Sequence, residues 1–119
     1  EETLKLSTLK DKKNYILVFW STGCSHCVRE VPKLHEFLQE KDSIGVVAFA
    51  LEKDDLGWNN FKPNLPGWYH VLGLKKWENK IARTYNIYST PSYFILDENK
   101  KIIAKPEELK DVKAFIEKL

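Results

Sequence analysis

Cys24 and Cys27 are the only two cysteines in the chain, and they stand three residues apart in Cys24-Ser25-His26-Cys27. Thiols at that spacing can bond to each other, ligate a metal, or exchange electrons with another disulfide. The flanking sequence weighs these options. Before the pair runs Tyr15-Ile16-Leu17-Val18-Phe19-Trp20, a continuous apolar stretch of β-formers that reads as a buried central strand and is broken by Ser21-Thr22-Gly23. After it, Val28, Val31, Leu34 and Leu38 recur at helical spacing. The motif therefore opens a helix, where positions i and i+3 share a face and the two sulfurs can meet. Free N–H groups and the positive end of the helix dipole favour a thiolate at Cys24, the species that attacks a disulfide. Cys24 is expected to be exposed at the strand end. Cys27, one turn in and more buried, is placed to resolve a mixed disulfide, and His26 offers a cation beside the thiolate.

Other uses of the pair are weaker. A structural disulfide here closes a very small loop and gains little chain entropy, though it stays open as a reading. A metal held by Cys24, Cys27 and His26 needs further ligands, and no second ligand pair is evident. Covalent haem needs His directly after the second cysteine, where Val28 stands. No metal and no cofactor beyond a Cys24–Cys27 redox disulfide is expected.

The elements that must position the pair follow from periodicity. The first helix is expected over about Ser25 to Glu40, kinked by Pro32. Ile44 to Leu51 reads as a second buried strand, Asp54 to Phe61 as a short helix, Pro63 to Gly67 as a loop and Tyr69 to Leu72 as a short strand. Leu74, Trp77, Ile81 and Tyr85 predict another helix. Ser92 to Leu96 and Lys101 to Ala104 flank the turn Asp97-Glu98-Asn99-Lys100 as a hairpin. Pro106 opens a last helix with Leu109, Val112, Ile116 and Leu119 inward. Leu4 and Leu6 suggest a short edge strand. The order β-α-β-α-(β)-α-β-β-α implies parallel pairing with an antiparallel edge.

Bulk properties set outer limits. A length of 119 residues suits one domain, with 43% hydrophobic and 30% charged residues, a normal globular balance. Lys plus Arg total 19 against 17 for Asp plus Glu, a net charge of +2 that gives no footprint for nucleic acid. No apolar run is long enough to span a bilayer. The chain holds no methionine, so a processed piece of a longer, targeted protein is the expectation.

Three features then coincide: Phe19-Trp20-Ser21-Thr22-Gly23-Cys24-Ser25-His26-Cys27, Glu30-Val31-Pro32, and Thr90-Pro91 before the strand Ser92 to Leu96. Together they resemble the thioredoxin superfamily and, within it, the bacterial TlpA/ResA-like branch, over nearly the whole chain. The resemblance implies an α/β fold, a thioredoxin-like three-layer sandwich with a mixed central sheet and helices on both faces, spanning residues 1–119. It implies Cys24 as nucleophile, Cys27 as resolving cysteine and Glu30 as the acid that handles protons. Ordinary thioredoxins place a buried Asp two residues before the Trp, where this chain has Val18. By the same resemblance Trp20 ends the central strand beside the site, Pro91 is a cis-proline opposite the cysteines, and the Thr90 backbone pairs with a bound peptide. Trp20, His26, Thr90 and Pro91 form the expected substrate-binding set. Gly23 stands where the branch often has Trp, and Ser25-His26 replaces the Gly-Pro of thioredoxin. The segment Asp54 to Gly73, with Trp58 and Trp68, reads either as a rim to the site or as packing under a loop.

The implied function is thiol–disulfide exchange with protein substrates, as a reductant in the bacterial envelope or periplasm. An upstream redox donor and a membrane tether outside this sequence complete that picture. The competing reading is a redox-sensing or protein-binding module of the same fold with little turnover. A thiol peroxidase fits the CxxC arrangement less well.

Overall fold

The apolar run before the cysteines becomes strand β1 (Asn14–Trp20), buried from Tyr15 to Trp20. The computed structural model describes residues 6–119. Along the chain follow α1 (Ser25–Phe37), β2 (Ile44–Glu52), α2 (Leu56–Phe61), β3 (Tyr69–Leu74), α3 (Lys80–Thr84), β4 (Ser92–Leu96), β5 (Ile102–Ala104) and α4 (Leu109–Glu117). The sheet order is β3-β2-β1-β4-β5, which puts β1 at the centre. β1 runs parallel to β2, and β2 parallel to β3. β4 lies antiparallel to β1 and carries β5 as an antiparallel edge.

Alternation along β1 feeds two cores. Ile16, Val18 and Trp20 join Val31 and Leu34 of α1, Val112 and Ile116 of α4 and Trp58 of α2 on one side. Tyr15, Leu17 and Phe19 join Phe49, Phe94 and Ala82 of α3 on the other. The Phe19 ring lies 5.3 Å from Phe49, 5.2 Å from Tyr85 and 5.8 Å from Phe94, ring centre to ring centre. Helices thus cover both faces of a mixed sheet, the three-layer arrangement expected from the sequence.

Several boundaries differ from the expectation. α1 stops at Phe37 rather than Glu40, because the Leu38 N–H bonds both Leu34 and Glu36 oxygens and the turn tightens. Pro32 lies inside α1, where the sequence placed it. The helix expected from Leu74 divides. Leu74 pairs with Glu52 at the end of β3. A 3-10 turn, Lys76–Glu78, follows, with Lys75 and Lys76 both at positive φ. α3 begins only after Asn79, whose side chain accepts from the Ile81 and Ala82 N–H groups. Trp77 and Ile81 are about half exposed rather than inward. Leu119 lies beyond the end of α4 and is exposed. Leu6 opens a 3-10 turn, Leu6–Thr8, instead of an edge strand, and Leu4 lies outside the described residues. In the segment Asp54 to Gly73, Trp58 is buried and Trp68 packs 5.2 Å from His35 on α1, so both rings serve packing.

Candidate redox site

The site forms where β1 ends, α1 begins and the loop before β4 closes over both. Cys24 is the N-cap of α1, in extended conformation, and its Sγ accepts the Cys27 N–H at 3.2 Å. An N-cap side chain meets the unpaired N–H groups of the first helical turn, here with sulfur in place of the usual oxygen. The Ser21-Thr22-Gly23 turn that delivers Cys24 is itself bonded: the Cys24 N–H reaches Ser21 O at 3.2 Å, and the Gly23 N–H reaches Ser21 Oγ at 3.2 Å. Across the site, the Cys24 thiol donates to the Thr90 carbonyl at 3.5 Å, and the Thr90–Pro91 peptide bond is cis. Pro91 is buried and Thr90 half-buried.

The two thiols are both free and chemically unequal. Partial burial is the largest influence on Cys24 and pushes its thiol up. Hydrogen bonds from the Cys27 thiol, the Thr90 side chain and the N–H groups of Cys27 and His26 outweigh it, so the thiol lies below its ordinary value. Cys27 is fully buried. That burial, followed by the hydrogen bond with Cys24, pushes its thiol up to about 12. The half-buried thiol at the N-cap is the more acidic of the two, and the buried one beneath it is the less acidic.

The remaining expected residues fall into two groups. Glu30, one turn after Cys27 on α1, has a side chain 21% exposed, and its carboxylate lies 3.5 Å from Lys33 Nζ. His26 is exposed, and the Arg29 guanidinium donates to its Nδ1 at 3.1 Å. Both are near the pair. Trp20 is a correction: it is fully buried, its ring meets Phe61 at 5.2 Å, and no surface is left to touch a substrate. It supports the end of β1 from within the core.

Two neighbours went unnoticed in the sequence. Glu52, the last residue of β2, is only 7% exposed, and its carboxylate accepts both the N–H of Thr22, at 2.7 Å, and the Thr22 hydroxyl, at 2.6 Å. A charged residue closing an otherwise apolar strand was the available signal. Tyr93, two residues after Pro91 on β4, is buried with its hydroxyl unpaired among the described residues. Nothing in the sequence separates it from an ordinary core aromatic. No group of three or more His, Cys, Asp or Glu side chains suited to a metal occurs among the described residues.

The family model described as "Thioredoxin-like" matches residues 11–102. The chain belongs to the thioredoxin-like family. Among its curated relatives is the thiol–disulfide oxidoreductase ResA of Bacillus thuringiensis, 31% identical over 84% of this chain and 57% of the relative. The thioredoxin-like protein YneN of Bacillus subtilis is 33% identical over 77% of this chain and 56% of its own. The chain thus spans a little over half the length of the curated relatives it matches. A solved domain of a possible thiol–disulfide isomerase from Cytophaga hutchinsonii is 33% identical, covers 95% of this chain and 78% of that one, and superposes with a TM-score of 0.79. The relatives it matches are named thiol–disulfide oxidoreductases, and with them the chain falls in the TlpA/ResA-like branch. Among the described residues, no helix is long and apolar enough to cross a membrane.

Proposed function

We propose that this domain exchanges its Cys24/Cys27 dithiol with disulfides of protein substrates. The observation that carries the reading is the inequality of the two thiols: Cys24 lowered and half-exposed at the N-cap, Cys27 buried with its thiol at about 12. The Cys24 thiolate attacks one sulfur of the substrate disulfide. That S–S bond breaks, one substrate sulfur leaves as thiolate, and a mixed disulfide with Cys24 forms. Cys27 then gives up its proton and attacks the Cys24 sulfur. The second substrate sulfur leaves, the Cys24–Cys27 disulfide closes, and two electrons have passed to the substrate, whose thiolates take protons from water. Glu30 is the nearby carboxylate assigned to the Cys27 proton. The Thr90 backbone and exposed His26 flank the approaching peptide, and Pro91 and Trp20 fix the loop and the strand end.

A protein substrate suits the surface around Cys24. A shallow depression beside it is lined by Ser21, Gly23, Lys76, Trp77 and Thr90. Trp77 is about half exposed there and offers an apolar wall to a polypeptide. The role we assign is that of a reductant in the bacterial envelope, recharged by an upstream dithiol donor and held at the membrane by a tether.

Reduction of insulin disulfides by dithiothreitol, followed as turbidity, tests the activity. The domain is expected to accelerate precipitation and Cys24→Ser to abolish the effect. In addition, Cys27→Ser should accumulate mixed disulfides with substrate proteins and Cys24→Ser should not. A wild-type domain that leaves insulin reduction at the uncatalysed rate would instead be a sensor or binding module.

A further inference from the structure

Tyr93 poses a physical problem that the exchange reading above does not use. Its side chain is 2% exposed, and its hydroxyl has no hydrogen-bond partner among the described residues. A buried hydroxyl without a partner is unfavourable, and Phe would fill the same space without that loss. Polar groups kept in a core against such a cost are candidates for function.

Its position points to the cysteines. Tyr93 stands directly across from Val18, two residues before the end of β1, and two residues after Pro91, whose cis bond follows the Thr90 carbonyl that Cys24 reaches. It belongs to the same core cluster as Cys27, Val31 and Trp20. Burial first, and then the charges of Glu30, Cys27 and Cys24, push its phenol above the ordinary range. It is therefore a proton donor at any pH at which the cysteines work. The other charged groups facing it line the groove between β4 and the start of α4: Lys105, Glu107 and Glu108.

We infer that the Tyr93 hydroxyl serves the resolving step, donating a hydrogen bond to the Cys27 sulfur as that thiol gives up its proton. The inference rests on the exchange reading and deepens it. In the dithiol state the hydroxyl makes no hydrogen bond to the Cys27 sulfur, which as a neutral thiol is a poor acceptor. Once the Cys27 proton passes toward Glu30, the sulfur carries negative charge in an apolar site and becomes a strong acceptor. The bond then exists during the step and not before it, the condition for an interaction to raise a rate. No extra reactant is needed. The Cys27 S–H bond breaks, the Cys24–Cys27 bond forms, the Cys24–substrate bond breaks, and Tyr93 keeps its own proton throughout.

Ellman's reagent separates the two steps without a physiological substrate. The reduced domain releases one coloured thiolate when Cys24 attacks the reagent and a second when Cys27 resolves the adduct. In Tyr93→Phe the first phase and the melting temperature should match wild type, or the melting temperature should rise. The second phase should slow by about tenfold, the size of one hydrogen bond to a charged group. Its pH profile should move upward, because the Cys27 thiolate has lost a stabilising donor. An unchanged second phase in Tyr93→Phe, or one slowed together with the first and with a lower melting temperature, overturns the inference. If the wild-type domain shows no second phase, the exchange reading itself fails, and the two failures are distinct.

Discussion

Glu52 closes β2 by taking both donors of Thr22, the backbone N–H at 2.7 Å and the hydroxyl at 2.6 Å, two residues before Cys24. The bonds join the ends of two neighbouring parallel strands, β1 and β2, at the edge of the site. Gly57 of α2 completes the arrangement: a Cβ there would collide with Thr22 Oγ1 and lie 3.6 Å from Glu52 Oε1. Glu52→Ala leaves two Thr22 donors unpaired in a half-buried turn and is expected to cost about 3 kcal/mol, since bonds to a carboxylate are among the stronger ones. Gly57→Ala should move Thr22 and reproduce part of the same loss. Chemical denaturation of the three proteins, with the rate of Cys24 alkylation alongside, measures both effects. A Glu52→Ala variant with wild-type stability would show that the turn holds without the carboxylate.

Reactivity of the two thiols should separate with pH. The Cys24 thiol lies below its ordinary value, so its alkylation rate should reach its plateau at lower pH than a free cysteine, whose pKa is about 8.5. As pH falls through the lowered value the thiolate is lost and the rate drops tenfold per unit. Cys27, pushed up to about 12, should hold only about one thiolate in ten thousand at pH 8. Limiting iodoacetamide at that pH, followed by peptide mapping, is expected to place the label on Cys24. Equal labelling of the two cysteines would show that burial does not protect Cys27.

What was legible in the sequence divides along physical lines. β1, β2 and the cysteine helix announce themselves because each is long and apolar in one period: Tyr15 to Trp20 without a break, Val31 and Leu34 on one helical face. The cysteine pair was legible because strand, break and helix follow one another within a few residues. The segment after β3 was not. Leu74, Trp77 and Ile81 keep a helical spacing, yet strand pairing at Leu74 and the Asn79 cap take the backbone elsewhere. A local pattern yields where a neighbouring strand satisfies the backbone first. Glu52 and Tyr93 were hidden for a different reason. Whether a polar side chain is buried, and whether it has a partner, depends on residues distant in the chain: Thr22 for Glu52, and for Tyr93 the residues of α1.

Glu30 follows the cysteine pair on α1. It lies three residues after Cys27, so the helix turns its side chain to the same face, at 21% exposure and 3.5 Å from Lys33. Val18, on the strand beneath, has no proton to exchange, which leaves Glu30 as the carboxylate on the Cys27 side of α1. If it accepts the Cys27 proton, Glu30→Gln keeps the shape and removes the base. The second phase of thiolate release should then fall by roughly tenfold or more, at the low end of what a positioned base supplies, while the first phase holds. Stability should change little, because a partly exposed i,i+3 pair with Lys33 contributes at most a few tenths of a kcal/mol. Combining Glu30→Gln with Tyr93→Phe adds a sharper reading. Two groups acting on one developing charge should be coupled, so the double variant should lose less than the product of the single losses. Strictly multiplicative losses would place the two residues in separate steps, and an unchanged second phase in Glu30→Gln would leave Glu30 as the surface partner of Lys33.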